Sequence, residues 1–147
     1  MKRTNQQTSS AAVLATGAEL SRRAYDVTFT LGNTPKVDMM CSVPEGQAFK
    51  IQVKGISNPR DFWVNKSFFD GPTQPNLYLV VVLVSKEAQD DLSFHFFILS
   101  HEEAQKEFNK LPITKKDGSP ITQFGLGWTS VKRYKNKWDT FPHSSAA

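Results

Sequence analysis

The stretch that decides the fold is KVDMMCSVPEGQAFKIQVKG, residues 36–55. Apolar residues occupy alternate positions on both sides of the short turn PEGQ: Val37, Met39, Cys41, Val43, Phe49, Ile51 and Val53. Because side chains alternate between the two faces of a strand, this pattern predicts strands over about Val37–Val43 and Ala48–Lys54. The turn is short enough to join the two strands as an antiparallel hairpin.

The register of this hairpin follows from its apolar residues. Directly paired residues share a face, so the odd-numbered positions of the two strands must pair with one another. With a turn of this length, Asp38 lies opposite either Gln52 or Lys54, and the other residue is its diagonal neighbour. A shift by one residue would expose the apolar set to water. The sequence therefore predicts these three polar residues on one face.

Two interpretations of this polar face are open. It can be solvent-exposed sheet surface, since cross-strand Lys–Asp pairs are common there, and geometry alone favours this interpretation. It can also be a metal site, because the Asp38 carboxylate, the Gln52 amide oxygen and the backbone carbonyl of Val53 are oxygen ligands of the kind that Mg²⁺ prefers. A metal and the adjacent Lys54 would then activate water and stabilise charge on a phosphate.

The second interpretation agrees with a resemblance to a known family. VD at 37–38 followed by QVK at 52–54 resembles the D–x(n)–[DEQ]–x–K core of the PD-(D/E)XK nuclease superfamily, which includes restriction endonucleases and Holliday junction resolvases. The segment AELSRRAYDVTFTLGNTPKVDMM (18–40) is similar to the opening helix, strand and Asp strand of small bacterial members. FFILSHEEAQ (96–105) and YKNKWD (134–139) are also similar to segments of those proteins.

The resemblance implies a fold, a cofactor and a set of roles. The fold is α/β, with a restriction-endonuclease-like core in which helices flank a mixed β-sheet. Asp38 and Gln52 would hold Mg²⁺ or Mn²⁺ together with the Val53 carbonyl, Lys54 would be the catalytic lysine, and Glu19 on the first helix would assist. The expected activity is metal-dependent hydrolysis of DNA; RNA as a substrate and a homodimer stay open.

Two departures from the family pattern support an alternative. Gln52 is neutral where many active members carry a carboxylate, and Ala12 and Val13 stand where such nucleases often place a Gly–Glu pair. With one certain carboxylate, metal binding should be weak unless phosphate oxygens complete the coordination. The alternative is a catalytically weak or inactive protein of this fold that binds nucleic acid or a partner protein, as in defence or toxin–immunity systems.

Four basic residues near the C-terminus are candidates for contacts with phosphates: Lys132, Arg133, Lys135 and Lys137. They interleave with aromatic and apolar residues at near-helical spacing. The favoured interpretation is a closing helix whose aromatic residues pack on the sheet while its lysines stay in solvent. Both interpretations can hold, because the two sets of side chains would occupy different faces.

The remaining patterns predict further helices and strands. They are a helix from about Ala11 to Ala24 capped by Ser9 or Ser10, strands over Tyr25–Leu31, Leu77–Ser85 and Leu92–Leu99, a helix from Ser100 to about Leu111, and a last helix from Thr129 to about Trp138. The apolar run in Leu77–Ser85 predicts a strand buried on both faces. Ser100 and Glu103 have the spacing of a capping box, and PITKKDGSPITQFG (112–125) is expected to be a polar loop.

Length and composition limit the class of protein. The 147 residues suit one domain, which we expect over residues 9–141, with a flexible N-terminus (1–8) and a tail (142–147). A net charge of +4 permits contact with nucleic acid. The single cysteine, Cys41, excludes an internal disulfide or a Cys-based zinc site and favours the cytoplasm. The apolar run at 77–84 is shorter than the roughly 20 residues of a membrane helix, so no membrane contact is expected.

Overall fold

A computed structural model describes residues 2–30, 37–84, 93–108, 116–119 and 123–143 of the protein. The strands are β1 (Asp26–Phe29), β2 (Met39–Ser42), β3 (Ala48–Ile56), β4 (Phe62–Asn65), β5 (Leu77–Val84), β6 (Phe94–Ser100) and β7 (Gln123–Leu126). The α-helices are α1 (Asn5–Arg22), α2 (His101–Glu107) and α3 (Trp128–Val131), and short 3₁₀-helices cover Lys66–Phe68, Lys132–Tyr134 and Trp138–Thr140. The protein is therefore α/β, as the sequence predicts.

The main sheet is mixed and its strands follow the order β1-β2-β3-β5-β6. The strands β1, β2 and β3 pair antiparallel, β3 pairs parallel with β5, and β5 pairs antiparallel with β6. A parallel pair needs a crossover connection. Here the crossover contains β4, which pairs with β7 in a separate two-stranded sheet.

The helix α1 covers one face of the main sheet, which we call the first face. Ala12 and Leu20 of α1 are fully buried there against odd-numbered residues of β3 such as Ile51. Gly55 allows the close approach, because a Cβ at this position would lie 2.8 Å from the Ala12 Cβ and 2.9 Å from the Thr8 carbonyl oxygen. No helix in the described segments is long and apolar enough to span a membrane.

The opposite face, which we call the second face, packs against the β4–β7 sheet, α2 and α3. Its buried residues include Phe62, Phe68, Leu79, Leu126 and Val131. β5 contributes to both faces, because Val80 and Val82 belong to the first core cluster while Leu79 and Val81 belong to the second. The prediction that Leu77–Ser85 contains a strand buried on both faces is confirmed.

The start of α1 differs from the prediction. The helix begins at Asn5, not near Ala11, because Thr4 rather than Ser9 or Ser10 is its N-cap. The Thr4 hydroxyl accepts a hydrogen bond from the Gln7 backbone N–H at 3.1 Å, and the Gln7 side chain accepts one from the Thr4 N–H at 2.9 Å. Residues 5–8, expected in a flexible N-terminus, therefore form the first turns of the helix.

The C-terminal segment also differs from the prediction of one last helix. α3 ends at Val131, and the chain then passes around the edge of β6. Lys135 forms a bridge with Phe97, and the Asn136 N–H donates to the Phe96 carbonyl at 2.9 Å. Asn136 has a left-handed φ of 56°, which interrupts helical geometry.

The stretch expected to be a polar loop contains β7, whose partner β4 lies about 60 residues earlier in the chain.

Residues 128–143, which we call the C-terminal strap, join the two faces of the sheet. Val131 is buried in the second core cluster, and Phe141 is 1% exposed in the first. The Phe141 ring stacks on Phe49 at 5.3 Å between centroids and meets Tyr78 edge-on at 5.0 Å. The strap is thus a packed part of the domain.

Replacing Phe141 by alanine should destabilise the protein by about 3–5 kcal/mol, because it leaves a cavity among aromatic rings. Urea unfolding followed by circular dichroism measures the change. Leu14→Ala is the matched control: Leu14 is 61% exposed, and its loss should cost no more than about 0.5 kcal/mol. Equal losses in the two variants would contradict the packed strap.

Candidate functional site

Asp38 directly precedes β2 and is hydrogen-bonded to β3. Its backbone N–H donates to the Ile51 carbonyl at 2.8 Å, and its Oδ2 accepts a hydrogen bond from the Val53 N–H at 2.7 Å. The β2–β3 ladder begins with the pair Met39–Ile51, so no residue of β2 pairs with Val53. The Asp38 carboxylate supplies the acceptor that a longer β2 would have offered.

The register of the hairpin is one of the two that the sequence allowed. Met39 pairs with Ile51 and Cys41 with Phe49. Asp38 lies just before the ladder, and its backbone N–H and carboxylate bond to Ile51 and Val53, the two neighbours of Gln52 in β3. The prediction that the apolar residues determine the register is confirmed.

Gln52 and Lys54 project from β3 toward the second face. They alternate with Ile51 and Val53, which are buried under α1, and their partners on β5 are Leu79 and Val81. Both side chains are half-buried. Within the described part of the chain, neither makes a side-chain hydrogen bond or an ion pair.

The surroundings of the site disfavour the charged form of Asp38 and the charged form of Lys54. Burial raises the pKa of the Asp38 carboxyl, although the hydrogen bond from Val53 partly offsets the shift. Burial lowers the pKa of Lys54, and the nearby positive charge of Arg60 lowers it further. A dominant Asp38–Lys54 ion pair would shift both pKa values the other way. A cation beside Asp38 and an anion beside Lys54 would therefore relieve two unfavourable charges.

The oxygen atoms at this position suit a hard divalent cation. The hydrogen bond from Val53 occupies Oδ2 of Asp38 and leaves Oδ1, and Gln52 adds an amide oxygen. A strand residue directs its N–H and C=O to the same edge, so the Val53 carbonyl faces the edge where Asp38 lies. These three oxygens fit Mg²⁺ or Mn²⁺ in type, with a single carboxylate charge. Among the residues that the structure describes, there is no cluster of three or more His, Cys, Asp and Glu.

The structure places Glu19 apart from these residues. Glu19 lies on α1, which covers the first face, whereas Gln52 and Lys54 project toward the second. Its carboxylate makes ion pairs with Arg22 at 2.5 Å and with Arg23 at 3.0 Å, and the hydrogen bonds to these arginines lower its pKa. The fold therefore does not bring Glu19, the predicted assisting residue, to Asp38.

The four basic candidates of the C-terminal strap lie beyond β6, on the far side of the sheet from β2. Lys132, Lys135 and Lys137 are exposed, in agreement with both interpretations of this segment. Arg133 donates to Oε1 of the buried Glu107 at 2.8 Å, so it helps to attach the strap to α2. The structure does not bring these residues to the edge where Asp38 lies.

Arg60 is a residue near the site that the sequence reasoning missed. It follows β3 in the exposed turn SNPR, and its charge acts on Lys54. The Pro-containing turn after QVKG marks a reversal of the chain. No periodicity rule, however, connects a turn residue with a position within the preceding strand.

Comparisons with protein-family models, with curated proteins and with solved structures found no match to this chain.

Replacing Asp38 by asparagine should leave the protein at least as stable at neutral pH, because the amide oxygen still accepts from Val53 and a buried charge is removed. Asp38→Ala should cost about 1–3 kcal/mol, since it leaves the Val53 N–H unpaired. Urea unfolding of the three proteins measures the differences.

The pH dependence has a definite sign. The folded-state pKa of Asp38 is raised, so wild type gains stability relative to Asp38→Asn as the pH falls through that pKa and the carboxyl becomes neutral. If the asparagine variant loses as much stability as the alanine variant at pH 7, the assignment of Asp38 as a buried, charge-disfavoured acceptor is wrong.

Proposed function

We propose that the protein is a divalent-metal-dependent nuclease with a restriction-endonuclease-like core of the PD-(D/E)XK type, acting on phosphodiester bonds in DNA. The observation that carries the proposal is the contact of Asp38 with β3, where it bonds to Ile51 and Val53 on either side of Gln52, with Lys54 the next residue along the strand. The order α1, β1, β2, β3 supports it, because the resemblance assigns the Asp to the second strand and the Gln-x-Lys to the third.

In this proposal Asp38, Gln52 and the Val53 carbonyl hold Mg²⁺ or Mn²⁺. The metal, when bound, lowers the pKa of a coordinated water and neutralises charge on the phosphate. Val53 contributes through its backbone in two ways, since its N–H orients the Asp38 carboxylate while its carbonyl is a ligand. This hydrogen bond holds Oδ2 of Asp38, so Oδ1 would be the oxygen available to the metal.

Lys54 acts on the scissile phosphate and on the attacking water. Its half-buried ammonium balances the negative charge that builds up on the phosphate oxygens as water attacks phosphorus and the P–O bond to the leaving group breaks. Its lowered pKa makes the ammonium a better proton donor than an exposed lysine. Phosphate is also the anion that offsets the repulsion between Lys54 and Arg60.

The alternative function is binding without catalysis. Asp38 contributes the single carboxylate of this donor set, and one of its oxygens is bound to Val53, which favours weak metal affinity. A protein of this kind would bind nucleic acid or a partner protein through the same face, as in defence or toxin–immunity systems.

The setting we propose is the cytoplasm, since Cys41 is a free, buried thiol. DNA is the proposed partner, with RNA as a second substrate class and a second copy of the chain as a candidate partner. No membrane partner is part of the proposal.

Lys54→Met should lower metal-dependent cleavage by about 10²-fold or more without loss of stability, because methionine keeps the aliphatic packing and removes a half-buried charge. Cleavage of duplex DNA, single-stranded DNA and RNA in Mg²⁺ and in Mn²⁺ measures the effect. Lys50→Met, on the same strand and the same face, is the control and should retain activity. Unchanged cleavage by Lys54→Met would remove Lys54 from the site.

Metal binding should be visible without any substrate. A divalent ion at ten times its Kd stabilises the folded state by about 1.4 kcal/mol, which raises the melting temperature of wild type. Asp38→Asn should show no such increase with Mg²⁺ or Mn²⁺. A wild-type protein with no metal response and no cleavage of any nucleic acid would favour the binding-only alternative.

A further inference from the structure

A pocket lies where the end of α1 meets the C-terminal strap. Its lining consists of Arg23, Tyr25, Trp138, Asp139 and His143, and its volume is about 360 Å³. We call it the Trp138 pocket. Tyr25 directly precedes β1, whereas Asp38 bonds to Thr30 beyond the other end of that strand. The two sites are therefore separated by the length of β1, roughly 15 Å.

The aromatic wall of the pocket is held in place by the domain. The guanidinium carbon of Arg23 lies 4.4 Å above the centre of the Trp138 ring, and the Arg23 Nε donates to Glu19 at 3.0 Å. The Tyr25 hydroxyl donates to the Pro142 carbonyl at 2.7 Å. These contacts set the orientation of the arginine and of the rings before any ligand arrives, which reduces the entropy lost on binding.

The same residues keep hydrogen-bonding capacity that the described part of the chain does not use. The bond to Glu19 leaves the terminal nitrogens of Arg23 as donors. The Asp139 carboxylate has no hydrogen-bond partner among the described residues. His143 donates from Nδ1 to the Phe141 carbonyl at 3.1 Å, which leaves its Nε2 available to a ligand. The pocket thus combines flat rings, a cation and a carboxylate.

This combination selects a class of ligand. Aromatic rings and arginine planes are the surfaces on which unpaired bases stack. The volume lies near the lower limit of ligand pockets, which suits one nucleotide rather than a duplex. Guanine offers O6 and N7 as acceptors for Arg23, and its N1–H and exocyclic amino group as donors for Asp139. Adenine cannot satisfy both, because its Watson–Crick edge has no acceptor in the place of O6.

We propose that the Trp138 pocket binds the unpaired guanine base of a nucleotide. The source of the guanine is either a free nucleotide or a single strand of nucleic acid, which present the same base. This site is additional to the proposed nuclease function and does not depend on it.

The test follows the indole N–H signals of the three tryptophans by NMR during titration with 5′-GMP. The Trp138 signal should shift in a saturable manner, while those of Trp63 and Trp128 stay in place. 5′-AMP should bind about tenfold more weakly, as expected for the loss of one bidentate pair. A short single-stranded oligonucleotide with one guanine distinguishes the sources. If the oligonucleotide binds more tightly than GMP, the ligand is single-stranded nucleic acid; if the two bind equally, the ligand is the free nucleotide.

Two variants make the test specific. Asp139→Asn should weaken GMP binding about tenfold and remove the preference over AMP, because the amide cannot accept from both guanine donors. Asp70→Asn, an exposed carboxylate outside the pocket, should bind GMP as wild type does. Unchanged Trp63 and Trp128 signals in the free variants confirm that each is folded.

Three outcomes would overturn the proposal. They are the absence of a saturable Trp138 shift up to about 10 mM GMP, equal affinity for GMP and AMP, and an equivalent shift with inorganic phosphate alone. None of these measurements involves cleavage or metal. A negative result in these measurements therefore leaves the nuclease proposal intact. In the same way, unchanged cleavage by Lys54→Met would leave the guanine proposal intact.

Discussion

The parallel pairing of β3 with β5 is the constraint on which the rest of the structure depends. It places β5 in the interior of the sheet, where Val80 packs under α1 on the first face and Leu79 is buried on the second face. A parallel pair cannot be joined by a tight turn, so the chain between the strands must cross over, and this crossover carries β4 onto the second face. The β4–β7 sheet then covers the apolar residues that β5 and β6 present there.

The same pairing explains why a charged site can exist on β3. The strand has β5 on one edge, while β2 covers only part of the other. Past the end of β2, the Val53 N–H would be unpaired, and the Asp38 carboxylate satisfies it. Shielding by the surrounding layers raises the pKa of Asp38 and lowers that of Lys54. The carboxylate thus satisfies a backbone donor with Oδ2 and leaves Oδ1 for the metal binding that we propose.

The features that sequence reasoning predicted correctly are those determined by neighbours in the chain. The β2–β3 register follows from alternation across a short turn, and the N-terminus of α2 follows from a capping box in which Ser100 and Glu103 bond to each other's backbone. The start of α1 has an equally local signal in the capping box of Thr4 and Gln7, but the apolar pattern of the helix points instead to Ser9 and Ser10. The strand β7 had no such signal, because it forms only where β4 offers it an edge.

The sequence by itself determined which residues alternate, which segment is buried on both faces, and the register of the hairpin beside which Asp38 lies. These properties depend on spacing within a few residues, and spacing is visible in a single chain. Only the tertiary structure decided that Glu19 lies on the opposite side of the sheet, that the basic residues of the strap lie beyond β6, and that Arg60 acts on Lys54. It also brought Arg23 and Trp138 together across more than 100 residues. Such contacts arise from the packing of whole layers against one another, which no local pattern encodes.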